Sequence, residues 1–157
     1  MSDVLDRLLE HWRLHKEKPA ASKANPDEIA SWEAKYAVRL PDDLREYVTR
    51  VNGILFGEQL EFDDNLNTLL PLSAMKPESE VSNREAPSNR FVIADHCISC
   101  FWWTVDLDAK HHSETVVSLS GTSDGKPQIV ATSMAEFLDM YIANSPAMYG
   151  SLGKGPR

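Results

Sequence analysis

The apolar residues of this chain change their spacing at Asn52-Gly53, and that change limits the folds open to it. Before this point they recur every three or four positions, as on one face of a helix. After it they come in short runs separated by turn residues, as in strands. Helices with one apolar stripe and a sheet with an apolar face must bury those surfaces together, which makes the expected class α+β.

Three helices are expected in the first part. Leu5, Leu8, Leu9 and Trp12 form a stripe over residues 3–16, with acids early and Arg13, Lys16 and Lys18 late, the order the helix dipole favours. Residues 18–24 start with a helix breaker and have no period, so they read as an exposed connector. Asn25-Pro26-Asp27-Glu28 is a helix start in which Asn25 caps, Pro26 takes the first position and Glu28 completes a capping box. Ile29, Trp32 and Tyr36 then mark the buried face. A third helix opens near Pro41, carries Leu44, Tyr47, Val48 and Val51 on one stripe, and meets Asn52-Gly53, a pair suited to left-handed backbone.

Strands are expected at 54–56, 59–62 and 68–72, then at 91–94, 98–107, 115–119 and 128–131, with residues 120–125 as a connecting turn. Residues 76–90 are polar and contain Pro77 and Pro87. They read as a surface loop with one helical turn, the segment most expected to move. Ser133 and Glu136 form a capping box that opens a last helix, with Phe137, Leu138 and Tyr141 buried. The expected whole is a single domain over 1–144, a mostly antiparallel (mixed) β-sheet flanked by N-terminal helices and a C-terminal helix. A flexible tail at 145–157 follows, because Gly, Ser and Pro dominate there.

With 157 residues, 42% of them hydrophobic and 25% charged, the chain has the composition of a globular domain. Its opening residues carry scattered charge where a signal peptide would have an apolar core, and no run of about 18 apolar residues occurs. Two cysteines are too few for a disulfide framework and suit reduced thiols. The expected location is therefore cytoplasmic, with no membrane association. A formal net charge of -8 opposes nucleic acid and anionic lipid and favours a basic partner.

His96-Cys97-Ile98-Ser99-Cys100 and His111-His112 hold metal-ligand residue types. On a strand, however, Cys97 and Cys100 point to opposite faces, so buried structural cysteines are the expectation. Asp63-Asp64-Asn65-Leu66-Asn67 lacks the glycine and the terminal glutamate of a calcium loop. No phosphate loop, metalloprotease helix or serine elbow occurs. No catalytic residue, cofactor or metal is expected. Of Trp102 and Trp103, which alternate across a strand, one belongs in the core; the other is expected to pack beneath a helix or loop, with an exposed docking anchor as the alternative.

The helix of residues 29–36 leads into Val38-Arg39-Leu40-Pro41-Asp42-Asp43-Leu44-Arg45-Glu46-Tyr47 and closes on Val51-Asn52-Gly53. A later stretch reads Ile129-Val130-Ala131-Thr132-Ser133-Met134-Ala135-Glu136-Phe137-Leu138. The two resemble the opening and the closing strand and helix of the SUKH superfamily, which includes fungal cell-wall-synthesis regulators and bacterial immunity proteins. Ile54 stands where members often have a second glycine. The resemblance implies a sheet flanked by helices, with Leu40, Pro41, Asn52 and Gly53 as scaffold, and a protein-binding role without catalysis. In many bacterial relatives that role is to bind and block a cognate toxin, many such toxins being basic nucleases. The expected partner is thus a basic toxin protein, met by a monomer or weak homodimer through Glu58, Glu61, Asp63, Asp64, Trp102, Asp106 and Asp108. The alternatives are a regulatory scaffold that binds several cellular proteins, and a hydrolase or metal enzyme built on His96, Cys97 and Cys100.

Overall fold

The computed structural model describes residues 1–15, 22–56 and 59–153. Helix α1 (Ser2–Leu14) buries Val4, Leu5, Leu8 and Trp12. Helix α2 (Pro26–Tyr36) begins with the capping box foreseen at Asn25 and Glu28, each side chain bonded to the other's backbone N–H. Helix α3 (Asp42–Arg50) buries Leu44, Tyr47 and Val48. Most of the connector expected at 18–24 lies outside the described residues.

The left-handed pair after α3 has a second task besides ending the helix. Asn52 (φ 61°) accepts a hydrogen bond from Leu72 N at 2.8 Å and donates one to Ser22 O at 2.8 Å. Gly53 (φ 78°) lies so close to the next strand that a Cβ there would stand 2.5 Å from Leu69 O and Pro71 N. Only glycine satisfies both demands.

Two short strands, β1 (Leu55–Phe56) and β2 (Gln59–Leu60), pair as a small hairpin. The main sheet runs in the order β3 (Asn67–Leu69), β4 (Arg90–His96), β5 (Phe101–Asp106), β6 (Val117–Ser120), β7 (Gln128–Ala131), and every pairing in it is antiparallel. Between β3 and β4 lie a 3-10 turn (Leu72–Ala74) and the one-turn helix α4 (Glu78–Val81). Helix α5 (Met134–Ala143) follows β7, and its cap Ser133 accepts from Glu136 N.

Helices cover one face of the sheet. Trp103 packs on Phe137 of α5 and Phe91 packs on Trp32 and Tyr36 of α2. Trp12 of α1 donates its indole N–H to Tyr141 OH of α5 at 3.0 Å. The expected flexible tail is corrected over its first part: a 3-10 segment (Pro146–Gly153) docks on this same face. Met148 is fully buried there and its carbonyl accepts the Trp103 indole N–H at 2.8 Å. Small and polar composition suggested fraying, but Met148, the Trp103 indole bond, and Tyr149 packed on Phe101 and Trp103 hold the segment.

The loop of residues 107–116 returns to α3 through Asp43. This buried carboxylate accepts Thr115 N at 3.0 Å, the Thr115 hydroxyl, and Met134 N at the start of α5 at 2.8 Å. Its neighbour Asp42 faces solvent and meets His111.

Candidate protein-interaction surface

The expected partner residues fall into three groups. Glu61, Asp63 and Asp64 follow β2 in a tight loop. Asp63 is only 8% exposed, because its carboxylate accepts Asn65 N and Asn67 N at 2.9 Å each. It is the internal acceptor of an Asx-type turn, which corrects its expected place on a binding surface. Glu61 is half-buried and Asp64 is exposed. Glu58 lies outside the described residues.

Asp106 ends β5 and Asp108 follows it, a six-residue strand of roughly 20 Å away from the turn that starts it. Asp106 is matched by the Arg90 guanidinium, 2.9 Å away. Asp108 accepts Lys110 N at 2.7 Å and faces His112 at 2.9 Å, contacts that hold its carboxyl below the usual range. The two acidic groups therefore belong to opposite ends of the molecule.

Trp102 is corrected as well. Its indole is 5% exposed, donates to Glu78 Oε1 at 2.8 Å, and covers Gly121, where a Cβ would stand 3.0 Å from the ring. Strand alternation does put Trp102 and Trp103 on opposite faces. The second face is covered too, by α4, so neither ring reaches the surface. Glu78 was missed in sequence because it stands in a polar stretch that reads as a loop. Its buried carboxylate also accepts the Ser120 hydroxyl and lies 3.7 Å from Arg90.

What the first end does present is apolar. Leu66 (φ 62°) is half exposed, and its carbonyl accepts Cys97 N at 2.8 Å, which ties it to the β4–β5 connection. Ile98, the next residue along, is 80% exposed. Under this tip Asn67 joins two aromatic groups: its amide donates to Tyr149 OH at 2.8 Å and its carbonyl oxygen lies 2.7 Å from His96 Nδ1. With the amide so placed, His96 carries its proton on Nδ1. Its ring stacks on Phe101, and burial lowers its pKa.

The long strand expected at 98–107 starts three residues later, at Phe101. Residues 97–100 form the turn between β4 and β5, with Cys97, Ile98 and Ser99 all left-handed at φ 51°, 57° and 66°. The cysteines are thus turn residues, Cys100 exposed and Cys97 half-buried, where a strand reading had them inside. His111 and His112 sit elsewhere, against Asp42 and Asp108. Among the described residues no group of three or more His, Cys, Asp or Glu side chains is placed to hold a metal ion. No helix among them is long and apolar enough to cross a membrane.

Residues 23–140 match the model of the SMI1 / KNR4 family (SUKH-1), three-quarters of the 157-residue chain. The chain belongs to the SMI1 / KNR4 family. The match takes in α2, α3, the whole sheet and most of α5, and so joins the two SUKH-like segments read in the sequence. SUKH membership supports a protein-binding or immunity-type role at the level of the family. No curated protein matches the chain.

Proposed function

We propose that this SUKH domain is an immunity protein that binds a basic toxin protein in the cytoplasm and blocks it without chemistry of its own. The observation that carries the reading is the end of the sheet where the Cys97 N to Leu66 O bond brings together the segments of exposed Leu66 and Ile98, with Glu61 and Asp64 on the loop leading to Leu66, in a chain of net charge -8. Apolar side chains at the centre of a contact supply affinity, and surrounding charge of one sign steers an oppositely charged partner toward it. Glu58 adjoins this group in sequence. Asp106 and Asp108 are spent on local partners and contribute less.

The test uses a basic toxin encoded beside this chain. The domain should inhibit it at one-to-one stoichiometry, with an association rate that falls about tenfold or more between low and high salt. Reversal of exposed Asp64 and half-buried Glu61, Asp64→Lys with Glu61→Lys, should slow association further at low salt and leave the fold intact by circular dichroism. Absence of binding, or binding indifferent to salt and to both reversals, would overturn the proposal. Capture of several weakly bound cellular proteins in place of one tight partner would move the domain to the regulatory class of its family.

A further inference from the structure

Two cysteines bracket the turn that joins β4 to β5, and the turn is built to keep them together. Asp95 accepts Ser99 N on both carboxylate oxygens, at 2.9 and 3.1 Å, and Cys100 N donates to His96 O at 3.0 Å. The Cys100 thiol points back across the turn and donates to Cys97 O at 3.1 Å. In a tight four-residue turn the first and last Cα lie within about 7 Å, close to the separation a disulfide spans. Cys100 is exposed and Cys97 half-buried, so a small molecule can reach the pair.

We propose that Cys97 and Cys100 are a reversible dithiol–disulfide pair, oxidised by exchange with a low-molecular-weight disulfide of the glutathione class. The thiolate of one cysteine attacks the small disulfide, forms a mixed disulfide and expels one small thiolate. The second cysteine, as thiolate, then attacks the protein-side sulfur, closes the Cys97–Cys100 bond and releases the second small thiolate. Two protein thiols lose two electrons and two protons, and one small disulfide becomes two small thiols.

The surroundings set the character of the pair. The neighbouring Cys97 thiol, then burial, then the Asp95 charge push the Cys100 thiol up, so exchange accelerates as pH rises through the thiol range. A ring this short removes little chain entropy from the unfolded chain, which makes the bond easy to reduce. Closing it fixes the backbone beneath Ile98, so the redox state of the turn governs how that side chain is presented.

The experiment equilibrates the full chain in graded ratios of oxidised to reduced glutathione, alkylates the free thiols and reads the intact mass. Expected is a monomer two hydrogens lighter that takes up no alkylating agent and is restored by dithiothreitol. Cys97→Ser and Cys100→Ser should each stop at the glutathione mixed disulfide. A native chain that keeps two alkylatable thiols, or that accumulates only mixed disulfide or covalent dimer, would overturn the proposal.

Discussion

Asp42 and Asp43 are adjacent and chemically identical, yet the fold gives them opposite tasks. Asp43 is buried and accepts three backbone N–H groups, one of them from adjacent Leu44, and a hydroxyl, tying α3 to the loop of residues 107–116 and to the first residue of α5. Asp43→Ala would leave those donors without partners in a dry interior and should cost about 3 kcal/mol in urea unfolding. Asp42→Ala loses one exposed contact to His111 and should stay within about 0.5 kcal/mol. The helix start near Pro41 and the exit at Asn52-Gly53 were legible because helix entry and exit are local chemistry. The role of Asp43 was not, since its partners lie 72 and 91 residues away in the chain.

The starts of α2 and α5 were legible because cap and stripe are properties of consecutive residues, although only α2 closes the expected capping box, the Glu136 carboxylate of α5 accepting from Thr132 N in place of Ser133 N. The turn at 97–100 was read as strand because Ile98 carries β propensity and nothing in Cys-Ile-Ser-Cys announces left-handed backbone. Buried Asp63 could not be told from exposed Asp64, since an Asx acceptor and a surface acid look the same in sequence. Helix α4 shows the same blindness: within one turn, Glu78 is buried under Trp102 and Ser120 and Glu80 is exposed. Glu78→Ala should strand the Trp102 indole N–H and the Ser120 hydroxyl and destabilise by about 3 kcal/mol, with a shift in tryptophan emission as the second face opens. Glu80→Ala should leave both the unfolding midpoint and the emission unchanged.

At the scale of the whole molecule, the pH response follows from two histidines in different parts of the fold. Burial lowers both His11 of α1 and His96 of β4 below the ordinary imidazole value. The charge of His15 adds to the shift at His11, while Asp63 pulls both histidines, and Asp95 pulls His96, partway back. The unfolded chain therefore binds protons at these positions at a higher pH than the native one. Stability is full above the ordinary value, about pH 6.5, and declines as pH falls from there through the lowered values. Asp95 acts in the opposite sense from about pH 4 upward, because burial raises its carboxyl pKa. The lowered carboxyls of Glu10, Asp108 and Asp124 matter only below about pH 4.5. Denaturant midpoints should thus drop between about pH 7.5 and pH 5.5. In His96→Asn, which keeps a side-chain donor for Asn67 but cannot titrate, the drop should shrink and the fold remain. An equal drop in the native chain and in a His11→Asn, His96→Asn double variant would place the pH dependence elsewhere in the molecule.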